Sequence, residues 1–281
     1  MISHDALTSF VLNNVTDINI LNAPNNVLAE HKFDAEFEKQ INDPRIRCVP
    51  LNVRVFGCTQ DDTPLPIVLK GLAFEPGCTP EAYFQAYQLH ISLLGYQFVE
   101  PIIPITITDP GKVDIIRTNY LLGTEIVTPS DEVVSQIKEA SSFILFAQER
   151  HDLKSLPDMW SYIIDNCKTM SVDERKLLQD FLDNLKEAAN LGYAFDFPPF
   201  PISTDRLPQK NSDNVVVKNG KPIVIDSFTI WKFEPHETVD TELIIASCDV
   251  ATKLLGQSIT PNESYQQMQQ AKNEIRIRMR M

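Results

Sequence analysis

The sequence predicts an α+β protein in two lobes, a small antiparallel-sheet lobe followed by a mainly helical one. Three observations carry that expectation. Strand-like runs lie mostly within the first 122 residues, and helical periods mostly after them. A glycine and a threonine at 123–124 mark the change. Inside the helical part, Asn219-Gly220 between two β-branched runs predicts a tight hairpin. The expected division is an N-terminal extension over 1–45, a sheet-plus-one-helix lobe over 46–123, and a mainly helical lobe over 124–281 with a hairpin over 215–225.

The elements follow in order. Residues 1–45 are rich in Asn and Asp without strong periodicity, and a partly helical segment is expected there. Leu51 to Phe56 alternates apolar and polar residues, Gly57 to Pro64 reads as a polar turn, and Leu65 to Leu72 closes a hairpin. Thr79, Pro80 and Glu81 form a helix start: an N-cap, a proline at the first helical position, and an acid at the positive end of the dipole. That helix carries Tyr83, Phe84, Tyr87, Ile91 and Leu94 at helical spacing and stops at Gly95. Strands are expected over Ile102–Thr108 and, after an Asp109-Pro110-Gly111 turn, over Asp114–Leu122. Residues 131–150 and 158–168 read as helical. Ser171 to Glu174 is a capping box opening a helix that Gly192 ends. Residues 198–214 are irregular and proline-rich, and 240–272 is mainly helical.

Bulk properties exclude several functions. A net charge of −13 argues against a broad nucleic-acid footprint or attraction to an anionic membrane. No apolar run reaches the ~20 residues a spanning helix needs, and the N-terminus lacks the basic start and apolar core of a secretion signal. Five scattered cysteines without CxxC spacing fit a reducing cytoplasm, native or that of a host cell, rather than a disulfide framework or zinc site. HExxH, GxSxG and the Walker lysine loop are absent from the sequence.

The chemistry gathers at the Asn219-Gly220 hairpin. A two-residue turn fixes the register: Lys218 faces Lys221, Val216 faces Ile223, Asn214 faces Ile225 and Asp213 faces Asp226. The strands are apolar on both faces, so they are expected to be buried, with Asp226 where one of them emerges. Two or three oxygen ligands at such a rim suit Mg²⁺, which favours one or two carboxylates plus substrate phosphates. Asn and Asp also end strands simply because they favour turns.

The stretch from Asn214 to Phe228 resembles the metal-binding segment of the protein kinase and aminoglycoside-phosphotransferase superfamily. There an Asn begins one strand, a tight hairpin follows, and the Asp of a DFG-type motif ends the next strand. The resemblance implies that Asn214 and Asp226 hold Mg²⁺, with Asp213 competing for the same role. It makes Ile67-Val68-Leu69-Lys70 the strand of the phosphate-pairing lysine. The helix from Thr79 to Leu94 becomes the C-helix, with Glu81 and Gln88 as candidate cofactor-binding residues. The strand at Asp114–Leu122 becomes the last sheet strand before the hinge, and the capped helix after Ser171 the long helix before the catalytic loop. Asp205 or Asp196 would then orient the acceptor hydroxyl.

The sequence also departs from that pattern. Gly57 is the only glycine between Leu51 and Lys70, so no glycine-rich loop is present. Gln209 stands where the family places its catalytic Asp, five residues before the Asn. Asp226-Ser227-Phe228 lacks the DFG glycine, and no A-P-E follows. The expected function is an atypical ATP- and Mg²⁺-dependent phosphotransferase acting on a protein or small-molecule hydroxyl. The alternative is a pseudokinase-type module, such as a bacterial effector, that binds a nucleotide or a protein partner without catalysis.

Overall fold

The computed structural model describes residues 35–72, 79–124, 129–151, 155–195, 214–227, 230–233 and 239–279. The chain is α+β and divides into two compact units, Met1–Gln85 with Pro101–His151, and Ala86–Glu100 with Asp152–Met281.

The first unit is built on a five-stranded, wholly antiparallel sheet. Its strands are β1 (Ile46–Pro50), β2 (Val55–Gln60), β3 (Thr63–Lys70), β4 (Ile103–Ile107) and β5 (Phe143–Glu149), in the order β1-β2-β3-β5-β4. Helix α1 (Ala35–Asn42) precedes the sheet, and α2 (Pro80–Leu94) follows β3. Helices α3 (Pro110–Gly123) and α4 (Asp131–Glu139) lie between β4 and β5. One sheet face buries Phe56, Leu69, Ile105, Ile107 and Leu145 with Ile41, Val113, Ile116 and Ile137 of α1, α3 and α4. Asn42 ties α1 to the end of β4, accepting from the Thr108 and Asp109 amides at 2.8 and 3.1 Å and donating to the Thr106 carbonyl at 2.8 Å.

Four expectations for this unit need correction. The alternation at Leu51–Phe56 is not one strand, because Asn52 interrupts it. The Asn52 Oδ1 accepts from the Arg54 and Val55 amides at 2.9 and 2.8 Å, which closes a turn between β1 and β2. The stretch read as a polar turn at Gly57–Pro64 is mostly strand, and β2 and β3 join through Asp61-Asp62 alone. Asp114–Leu122 is helix α3, not a strand. Asp109 is its N-cap, accepting from the Lys112 amide at 3.0 Å, with Pro110 at the first helical position. Asp-Pro-Gly serves a turn and a helix start equally well, and Val113, Ile116 and Tyr120 are buried at helical spacing. Helix over 131–150 holds only to Glu139. Phe143–Glu149 is strand β5, a short apolar run whose periodicity alone does not separate the two states.

The second unit contains α5 (Met159–Asn166), α6 (Val172–Asn190), α7 (Val239–Leu255) and α8 (Pro261–Arg278), with two small antiparallel ribbons. One pairs β6 (Tyr193–Phe195) with β9 (Ile230–Lys232), and the other pairs β7 (Val215–Lys218) with β8 (Lys221–Val224). The capping box at Ser171 and Glu174 forms as expected, and Gly192 follows α6 with φ 86°. The inner face of α6 buries Leu178, Phe181, Leu182 and Leu185, and Phe98 packs edge-on against Phe181 at 5.3 Å. Among the described residues no helix is long and apolar enough to cross a membrane.

Candidate functional site

The β7–β8 hairpin has the register its turn dictates: Lys218 opposite Lys221, Val216 opposite Ile223. Asn219 and Gly220 take φ 55° and 75°, the left-handed pair a type I′ turn requires. The pairing continues one step past the strands, where the Ile225 amide donates to the Asn214 carbonyl at 2.9 Å. Asn214 and Asp226 therefore stand together at the open end, one just before β7 and the other just after β8. Both are half-buried, while Val215, Val216, Val224, Ile225 and Ser227 around them are buried.

Three neighbours hold this hairpin in place. Along β8, Val99 bridges Val224, and the Glu100 amide donates to the Val224 carbonyl at 2.9 Å. Along β7, Asp158 bridges Val216, and the Val217 amide donates to the Pro157 carbonyl at 3.0 Å. At the tip, Gly220 lies against Glu174, whose carboxylate accepts from the Tyr162 hydroxyl at 2.8 Å. The Ser171 hydroxyl and amide, and then Tyr162, hold Glu174 below the usual carboxylate range.

Two polar groups near the open end were not singled out by sequence. His90 on α2 is fully buried, its ring 5.2 Å from that of Phe195. Its Nδ1 lies 2.7 Å from the Ala86 carbonyl, which only accepts, so Nδ1 carries the proton and Nε2 is the acceptor nitrogen of the neutral ring. Burial pushes His90 down to about 4, against the opposing pull of the Ala86 carbonyl and the Asp226 charge. Glu100 is also buried, and its charge partly offsets the burial that pushes half-buried Lys221 below the ordinary lysine range. Neither role has a local signal: a histidine in an apolar helix and a glutamate before a proline read as packing and a loop.

The other expected site residues fall as follows. Lys70 is the last residue of β3, half-buried, paired with Val55 of β2 and Phe146 of β5. It therefore sits on an interior strand, not on a sheet edge. Gln88 is half-buried on α2, and Glu81 belongs to the first turn of that helix, which Thr79 caps by accepting from the Ala82 amide at 3.2 Å. Asp196, Asp205 and Asp213 lie outside the described residues.

The arrangement offers a carboxylate and an amide oxygen at adjacent strand ends, both half-buried. Hard oxygen donors of this kind suit Mg²⁺ when phosphate oxygens and water complete the shell. No protein-family model, curated protein or solved structure matches the chain.

Proposed function

We propose that this protein is an atypical phosphotransferase of kinase-like fold, using ATP and Mg²⁺ to phosphorylate a protein or small-molecule hydroxyl. The observation that carries the reading is the hairpin with Asn214 entering it and Asp226 leaving it in one register. The order of elements adds support. A lysine ends the third strand of an antiparallel sheet, a helix follows that strand, and a long capped helix precedes the hairpin. In this reading Lys70 pairs the nucleotide phosphates, and Asn214 and Asp226 hold the cation, with Asp213 beside them. Glu81 or Gln88 supports Lys70, and Asp205 or Asp196 orients the acceptor. Bound Mg²⁺ supplies charge neutralisation on the transferring phosphoryl group, and the chain's part is positioning. Buried His90 stays neutral and adds no second charge to the site.

One observation favours the second reading, a pseudokinase-type module that binds nucleotide or a protein partner without transfer. In the turn between β1 and β2, the Arg54 and Val55 amides are already taken by the Asn52 side chain. Backbone donors of that turn are therefore spent within the turn, where a phosphate-covering loop would present them.

The test is thermal unfolding with and without ATP and Mg²⁺, on the wild type, Asp226→Ala and Lys70→Ala. A ligand that binds only the folded state raises the midpoint. A Mg²⁺-dependent rise in the wild type, lost in both variants, is expected. No rise at saturating ATP overturns both nucleotide readings. A rise without transfer of labelled phosphate to any acceptor or to water leaves the second reading.

A further inference from the structure

A pair of thiols in the first unit forms a second chemical site, independent of the nucleotide reading. Cys48 of β1 and Cys58 of β2 are direct register partners, and both are buried and not disulfide-bonded. Residues facing each other across an antiparallel pair have Cα atoms about 4.5–5.5 Å apart. A disulfide needs about 4.4–6.8 Å, so the backbone already meets the requirement. The side chains point to the same face, and the two thiols hydrogen-bond each other. β3 bulges opposite Cys58, where Leu65 to Ile67 have no register partner on β2, and β1 is a sheet edge.

The surroundings are polarised. Lys112 of α3 is 2% exposed, its Nζ 2.9 Å from the Asp43 carbonyl and 3.4 Å from an Asp109 carboxylate oxygen. Donation from the Cys58 thiol holds Cys48 below the ordinary thiol range, with burial and Asp109 opposing and Lys112 assisting. The same bond, with burial, pushes Cys58 up. The pair is also asymmetric in the fold: Cys48 lies on the edge strand β1 and Cys58 on the interior strand β2.

From the facing register, the shared face and the burial of both thiols in one core cluster, we propose that Cys48 and Cys58 form a reversible redox site, closing a cross-strand disulfide under peroxide and reopening under a dithiol. Cys48 sulfur attacks one peroxide oxygen, the O–O bond breaks, and the departing hydroxide takes the Cys48 proton to leave as water. Cys48 is then a sulfenic acid. Cys58 sulfur attacks the Cys48 sulfur, the S–O bond breaks, and the second hydroxide leaves as water with the Cys58 proton. Two thiols and one peroxide thereby give one disulfide and two waters. The bridge would pin the edge strand β1 to β2, and transient opening of that edge is the route by which peroxide reaches the thiols.

The test uses the full chain as folded, treated with excess hydrogen peroxide, quenched, alkylated and mapped by peptide mass spectrometry. The expected result is a Cys48–Cys58 linked peptide in most chains, lighter by two hydrogen atoms. Dithiothreitol should remove it, and the oxidised form should have a raised unfolding midpoint that falls back on reduction. In Cys58→Ser, Cys48 should stop at a sulfenic acid that a dimedone probe captures. Recovery of both peptides unlinked from the oxidised wild type overturns the proposal. So does linkage of either residue to Cys78, Cys167 or Cys248 in place of the other. The wild-type map decides the matter even where the variant does not fold.

Discussion

The β2–β3 and β7–β8 hairpins both turn on two residues with positive φ, yet they obey different constraints. Asp61-Asp62 takes φ 47° and 63°, and the ladder beyond it slips at Gly57–Thr59. Asn219-Gly220 takes φ 55° and 75°, and its ladder runs without a break to Asn214. The second hairpin is specified by its turn, because Asn-Gly is the residue pair that adopts this geometry at least cost. The first is specified by its neighbours: β3 lies between β2 and β5, and the interior position fixes Lys70 despite an irregular start. Each also needs a glycine, for different reasons. Gly71 follows Lys70, and a Cβ there would stand 1.6 Å from the Tyr120 hydroxyl. Gly220 needs its φ, and a Cβ there would stand 2.3 Å from the Glu174 Cγ.

The contrast can be broken by substitution. Gly71→Ala should cost the most, about 3 kcal/mol, because the Tyr120 it meets is buried and packed against Phe56 and Phe143. Urea unfolding measures it. Adding Tyr120→Phe should recover part of the loss, since the nearest atom is the hydroxyl oxygen, and no recovery would place the obstruction elsewhere. Gly220→Ala should cost about 2 kcal/mol, from left-handed strain and displacement of Glu174 from its capping box. The same titration should show that loss, and an unchanged midpoint would mean that Glu174 yields freely. Asp62→Gly should have the smallest effect, a gain of about 0.5 kcal/mol from relieved φ strain. The Arg47–Asp62 pair it removes is widely exposed and contributes little. A loss on that substitution would show that the turn, and not β5, sets the β3 register.

The same contrast explains what could be read from sequence. The β7–β8 register, the burial of its strands and the adjacency of Asn214 to Ile225 follow from Asn219-Gly220 and period-two patterning, both local. The capping box at Ser171 and the N-cap at Thr79 are equally local. Helix α3 was hidden because Asp109-Pro110-Gly111 fits a turn as well as a helix start. Strand β5 was hidden because an apolar run of its length fits either state until it is seen between β3 and β4. At the candidate site, Asp226 and Asn214 were legible through the turn. His90 and Glu100 were not, because what matters in each is a neighbour distant in the chain. The Cys48–Cys58 pairing was masked by reading Leu51–Phe56 as one strand, which shifts every partner of the first hairpin.

The burial of His90 carries a thermodynamic consequence. Its imidazole titrates near 6.5 in an unfolded chain and near 4 in the fold. Between those values the unfolded chain binds the extra proton and the folded one does not, so stability rises with pH across that window. The contribution is whole above about pH 6.5, drains away as the pH falls, and is gone below about pH 4. Its size is at most about 3 kcal/mol. One uncharged ring buried on α2 thus couples folding to the proton activity of the surroundings, with acid as the denaturing direction.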